Sequence, residues 1–367
     1  MSLRPKRGIA RLKNHPHGGV NYTEMNALGI NPGNVLDFSV CTNPFMPPPD
    51  IKEMLSTFPI DQYPDSEATE LRQALSARLK VSTENILVAS GTTELIRLFA
   101  LAYFRQRDTI LILEPTYGEY EMACQIAGTK LIRHRAEEKD NFKPKIEEVI
   151  RLIRKYLPRA VFVCNPNNPT GNYLSRSEIE NILDVSGDSL LILDEAYVTF
   201  VKRAWNSTSL ITRGNAVILR SMTKDFGITG LRLGYAIAPL EVIDSLRRVC
   251  PPWNVNIIAQ KVGEAVLKEE SYLKQSLLQV QEVKRFLTSE LSRLGLTVLP
   301  SEANYFLVKV GNARKLRSTL LGHGILVRDC TSFGLPEYVR ISPRTMLDCE
   351  RLIEAVRTTL QKEKIYT

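Results

Sequence analysis

The chain has 367 residues, of which 44% are hydrophobic and 24% charged, enough to bury a large core and more than one minimal domain needs. Its +8 formal charge invites a nucleic-acid reading, but its distribution argues against one: Arg4, Lys6, Arg7, Arg11 and Lys13 read as a solvated N-terminal arm, and the nearly balanced body shows no interleaved aromatic platform. No apolar run is long enough to span a membrane, the basic N-terminus has no apolar segment behind it, and the scattered cysteines lack a paired motif, so a cytoplasmic protein with reduced thiols is expected.

In chain order, "ATELRQALSARLK" places Ala68, Leu71, Leu75 and Leu79 on one helical face. The runs "ILVAS" (86–90), "TILIL" (109–113), "AVFVC" (160–164), "SLLIL" (189–193), "AVILR" (216–220) and "LGYAIA" (233–238) are each one strand long. Their continuous hydrophobicity fits strands covered on both faces. Strands alternating with helices predict an α/β domain with a largely parallel sheet. After "CPPWNVN" the pattern changes. Val280, Val283, Leu287, Leu291 and Leu294 predict a long amphipathic helix stopped at Gly295. The strands "TVLP", "NYFLVKV", "GILVRD" and "YVRISP" and a final helix near 347–361 follow. The expected organisation is residues 46–250 as a large domain, 251–367 as a small α+β domain, and 1–45 as an arm packing with the small one.

The chemistry-bearing stretches sit where these strands end. Ser90-Gly91-Thr92-Thr93 turns from a buried strand into a helix, a place that suits a phosphate. Asn165-Pro-Asn-Asn-Pro-Thr-Gly171 is a rigid polar loop at a strand's carboxyl end. Asp194 closes a wholly apolar strand and needs a cation or hydrogen bonds there. In "SMTKDFGITGLRLGY" the Asp-Phe-Gly triplet has no kinase context: a Gly-rich loop, a VAIK strand and an HRD loop are all missing. Lys224 instead stands among Ser221, Thr223 and Arg232, a phosphate clamp beside an amine free to attack a carbonyl. His15, His17, His134 and His323 form no metal-ligand pattern.

Taken together, "NPNNPTG", "LDEAY" and "SMTKxxxxxGLRLGY" resemble the fold-type I pyridoxal-phosphate enzymes of the aspartate aminotransferase superfamily. The resemblance covers nearly the whole chain. It implies a mostly parallel seven-stranded sheet in the large domain, and Lys224 bonded to the cofactor aldehyde. Asp194 would face the ring nitrogen, and Asn168 and Tyr197 the phenolic oxygen. Gly91, Thr92, Thr93, Ser221, Thr223 and Arg232 would hold the phosphate, with Tyr117 stacked on the ring.

Within the superfamily the chain is similar to histidinol-phosphate aminotransferases and L-threonine-O-3-phosphate decarboxylases. "QYPDSE" implies that Tyr63 reaches the neighbouring subunit's substrate, hence a homodimer with shared sites. Arg328 and Arg340 match the arginines that bind the anion of a small phosphorylated amino-acid substrate. "HPHGGVNYTEMNALGINPGNVLDFSVCTNP" resembles the decarboxylase opening and implies that His17, Gly18, Gly19 and Asn43 border the substrate. Val20 and Cys41-Thr42 depart from that pattern. The expectation is therefore a lyase that converts L-threonine O-3-phosphate to (R)-1-amino-2-propanol O-2-phosphate in cobalamin biosynthesis. The alternatives are histidinol-phosphate transamination, decarboxylation of L-serine O-phosphate, and a cofactor-free binding protein.

Overall fold

A computed structural model describes residues 9, 12, 16–55, 58–59 and 61–365; the five cations of the basic arm and His15 lie outside them. The first strand, β1 (Leu36–Asp37), joins no strand of the large sheet. That sheet comprises β2 (Ile86–Ala89), β3 (Thr109–Glu114), β4 (Lys130–Arg135), β5 (Ala160–Cys164), β6 (Leu190–Asp194), β7 (Ala216–Ser221) and β8 (Gly234–Ile237). Their order is β2-β8-β7-β6-β5-β3-β4.

Side chains alternate between two cores, as the pleat requires. Ile110 and Ile112 face one core, under the helices Thr92–Tyr103, Glu119–Ala127 and Leu240–Val249. Leu111 and Leu113 face the other, under Ile146–Tyr156 and Arg176–Asp184. Because both faces are covered, the strands read as unbroken apolar runs.

The sheet is the mostly parallel, seven-stranded one expected, with two features that no residue pattern located. Strand β8 runs antiparallel to both β2 and β7, which no residue pattern signals when both faces are buried. The seventh strand, β4, escaped notice because it lies at the sheet edge, with only His134 buried. Lys130, Arg133 and Arg135 give it the charged character that keeps edges from pairing with other chains.

The smaller sheet contains β9 (Thr297–Val298), β10 (Phe306–Lys309), β12 (Arg328–Asp329) and β13 (Tyr338–Ile341), while β11 (Ile325–Leu326) pairs in parallel with β1. Phe38, just after β1, is fully buried in this sheet's core. Helix Glu270–Arg293 links the two units: Leu273 packs into a core of the large sheet, and Val283, Leu287 and Leu291 into that of the small one. Among the described residues no helix is long and apolar enough to cross a membrane.

Candidate active site

The parallel strands β5, β6 and β7 end together. Cys164 is paired with Asp194, and Asp194 with Leu219, two residues before Ser221. The loops leaving them line a cavity of about 640 Å³, at the carboxyl edge where open α/β sheets bind ligands.

Lys224 lies in the short helix Met222–Asp225, directly after β7. Its carbonyl accepts the Asn43 backbone N–H at 2.8 Å and the Thr42 hydroxyl at 3.3 Å. Burial lowers the Lys224 ammonium to about 8, and Arg232 and Arg340 push in the same direction. Asp194 is buried, and that burial raises its carboxyl to about 6. Tyr120 donates its hydroxyl to Asp194 Oδ2 at 2.7 Å, and the Ala196 N–H donates to Oδ1 at 3.0 Å. Among the described residues no cation pairs with the carboxylate directly, and Lys224 acts on it only through space, so it suits the partner that a protonated ring nitrogen would be.

The opposite corner is built for an anion. Helix Thr92–Tyr103 begins at Gly91, whose position provides no side-chain cap for the first-turn N–H groups. Beside it, the hydroxyls of Ser221 and Thr223 share a hydrogen bond of 2.6 Å. Thr92, Thr93, Ser221, Thr223 and Arg232 all face the cavity. Gly91 has φ +84°, and a Cβ there would lie 2.7 Å from Arg232 Nη2. Gly91→Ala is therefore expected to weaken cofactor binding at least ten-fold through backbone strain and displacement of the guanidinium. Titrating pyridoxal phosphate into the apoprotein would check this.

Tyr117 faces the same cavity, its hydroxyl 3.0 Å from Thr93 Oγ1. Burial pushes its phenol up to about 12. The asparagines of the 165–171 loop divide by task. Asn165 bonds to Leu174, and Asn167 to Pro115, Thr116 and Thr170, so both brace the loop. Asn168 lines the cavity and accepts a hydrogen bond from Arg340 Nη1. Tyr197 is buried edge-on against Tyr305, with ring centroids 4.9 Å apart.

On the far wall, Arg328 on β12 and Arg340 on β13 are direct cross-strand partners. Like charges placed so destabilise a sheet, and both arginines are buried and line the cavity. Arg340 Nη2 donates to the Ser39 carbonyl at 2.8 Å, and its buried Nε has no partner among the described residues.

The structure brings His17 and Gly18 to the cavity as well, but not Gly19, Asn43 or Tyr63. Asn43 is buried behind Lys224, bonded to Ser276 and to the Asp225 carbonyl. Tyr63 is 77% exposed and stacks on Trp253 with centroids 4.4 Å apart. Sequence reasoning missed Tyr120 and Glu119, which also line the cavity. A signal existed for Tyr120, three residues beyond Tyr117; Glu119 reads simply as an acid in a helix's first turn.

A family model for aminotransferases of class I and II matches residues 33–356. The chain belongs to that family. Such aminotransferases use pyridoxal phosphate, and the phosphate corner and the buried Asp194, which has no direct ion pair among the described residues, fit it. The histidinol-phosphate aminotransferase of Moorella thermoacetica is 35% identical over 91% of this chain and 87% of its own length. Further relatives at 29–34% identity bear the same name. Among solved structures, the histidinol-phosphate aminotransferase of Clostridium acetobutylicum superposes with TM-score 0.82 at 26% identity, covering 89% of this chain and 100% of that one. The L-threonine-O-3-phosphate decarboxylase of Porphyromonas gingivalis gives 0.73 at 29% identity, covering 85% and 94%.

These relationships overturn the expectation of a lyase acting on threonine phosphate in cobalamin biosynthesis, and with it serine-phosphate decarboxylation. The stretch that suggested it has a packing explanation. Gly19 donates its N–H to Ser39 Oγ at 2.8 Å, and a Cβ on Gly18 would lie 2.4 Å from the Ser39 carbonyl oxygen. His-Gly-Gly thus fixes how the N-terminal segment lies on Ser39, which says nothing about the bond to be broken.

Proposed function

We propose that this aminotransferase moves the amino group of L-histidinol phosphate to 2-oxoglutarate. The observation that carries the reading is the opposed pair Arg328 and Arg340. A transaminase must admit two different substrates in turn to one site. Two adjacent guanidiniums can accept the phosphate of one and a carboxylate of the other in the same fork geometry. The identity to histidinol-phosphate aminotransferases across most of the chain supports the choice of amino donor.

Pyridoxal phosphate, when bound, supplies an aldehyde and a ring that accepts the electrons of a bond cleaved at the substrate Cα. Lys224 Nζ would hold the aldehyde and, when its amine is free, would take the Cα proton and return it. Asp194, kept in place by Tyr120 and Ala196, would keep the ring nitrogen protonated. Asn168 and Tyr197 would bind the phenolic oxygen; Thr92, Thr93, Ser221, Thr223 and Arg232 would anchor the phosphate, and Tyr117 would cover the ring. Purified protein given histidinol phosphate and 2-oxoglutarate should form glutamate and the corresponding ketone phosphate. Absence of glutamate, or CO₂ release from threonine phosphate without a 2-oxo acid, would overturn the proposal.

The proposed assembly is a cytoplasmic homodimer with shared sites. The exposed Tyr63–Trp253 pair supports it, since exposed aromatic patches mark interfaces. Tyr63 would then serve the neighbouring protomer's substrate phosphate. Tyr63→Ala and Lys224→Ala protomers, each deficient alone, should regain about a quarter of wild-type activity when mixed and re-equilibrated, because the heterodimer contains one intact site. Activity no greater than the sum of the separate variants would exclude sharing through Tyr63.

A further inference from the structure

Residues 16 to 18 line the cavity, and two of their groups meet charged side chains. Arg328 Nη2 donates to the Pro16 carbonyl, as well as to Ser332 Oγ at 2.7 Å. His17 Nε2 lies 3.3 Å from Glu119 Oε1, and the His17 ring is tilted against Tyr117 with centroids 5.9 Å apart. Glu119 is itself buried at the start of helix Glu119–Ala127, and Arg97 pairs with its other oxygen. The hydrogen bond from His17, and then Arg97, hold its carboxyl down to about 2 against the opposing effect of burial. The acid therefore stays charged, and with Arg97 engaging Oε2 its Oε1 takes an imidazole N–H.

An oxygen acceptor on an arginine and an imidazole on a carboxylate, joined by a short chain, are also the parts of the proposed substrate. The covalent path from the Pro16 oxygen to the His17 ring is one bond shorter than that from a phosphate oxygen of histidinol phosphate to its imidazole. The peptide path includes the rigid planar C–N bond and the substrate path only single bonds, and the two have similar reach. We propose that Pro16–His17 is an internal occupant of the substrate site: its carbonyl marks the phosphate position at Arg328, its imidazole marks the imidazole position between Glu119 and Tyr117, and substrate displaces it. The inference rests on the histidinol-phosphate reading and deepens it, naming Glu119 as the residue that selects an imidazole. It reverses the sign of the role the sequence resemblance implied for His17, from ligand of the substrate to competitor.

The segment is held in a way that permits exchange. Gly18 and Gly19 are anchored on Ser39, while the His17 side chain is 54% exposed. The ring can therefore swing outward while the Ser39 anchor stays fixed. A site whose competent state is only part of the population binds its ligand more weakly by that fraction, so removing the occupant tightens binding.

Two substitutions in the full-length holoenzyme test this, with glutamate, which has no imidazole, as the reference substrate. Glu119→Gln keeps the shape and removes the charge. It should lower the ratio of kcat/KM for histidinol phosphate to that for glutamate about ten- to hundred-fold, the worth of a hydrogen bond to a charged group. His17→Ala should lower the calorimetric Kd of histidinol phosphate about three- to ten-fold. An unchanged ratio in Glu119→Gln, or binding in His17→Ala that is unchanged or weaker, overturns the inference. A general packing defect would depress both substrates alike and leave the ratio unmoved, which counts against it. Wild-type enzyme that forms no glutamate from histidinol phosphate sinks the functional reading, and this inference with it.

Discussion

Lys224→Ala is expected to lower transamination by about 10⁴-fold, the upper end of what a positioned acid–base group contributes, and to abolish covalent capture of the cofactor. Borohydride treatment followed by mass measurement reports the second effect directly: wild type gains the mass of the reduced cofactor and the variant does not. The surroundings of Lys224 add a pH signature. A lysine in water is almost wholly protonated at neutral pH, but burial, Arg232 and Arg340 bring this one to about 8. Only the neutral amine attacks an aldehyde. The rate of cofactor capture by the apoprotein should therefore rise with pH through about 8 and level off above it. A rate still climbing past pH 10 would show that Lys224 does not feel these neighbours.

Asp194→Asn should act in opposite directions on the two forms of the protein. In the apoprotein, burial raises the carboxyl from 3.8 to about 6, so between those values the native state binds more protons than the unfolded chain. Stability attributable to this group falls as pH rises through that window, and above it the charged, buried carboxylate costs up to about 3 kcal/mol. Asparagine occupies the same volume; its Oδ1 still accepts the Ala196 N–H, and its amide N–H donates to the Tyr120 hydroxyl oxygen, reversing that bond. The variant apoprotein should melt a few degrees above wild type at pH 7.5, and the difference should vanish near pH 4. Asp225 is also raised to about 6 by burial, but it is common to both proteins and cancels. With cofactor bound the order reverses: activity should fall about 10²–10³-fold, the usual cost of losing a buried electrostatic partner. A variant that is no more stable as apoprotein would mean that Asp194 is solvated or already paired.

Much of this was legible before any fold was known. Lys224, Asp194, Asn168 and the phosphate-binding group sit where a strand stops and a loop begins, so each local motif sets its own geometry. Their joint spacing named the superfamily and its cofactor. Six of the seven strands of the large sheet announced themselves because burial on both faces leaves an uninterrupted apolar run. The seventh, β4, was hidden by the same logic, since an edge strand with one buried residue has no such run.

The tertiary structure decided what depends on distant residues meeting. It turned Asn165 and Asn167 into braces and left Asn168 facing the cavity. It set Arg328 opposite Arg340, put Tyr120 on Asp194, and laid His17 on Glu119, more than a hundred residues away in the chain. It also reduced His-Gly-Gly from a sign of decarboxylation to a packing device against Ser39. The sequence by itself determined the cofactor and pointed to the amine proposed to hold it, because those motifs are written in contiguous stretches. Which substrate anion and which ring are recognised is set by side chains that burial and strand pairing bring together, and no local pattern encodes those encounters.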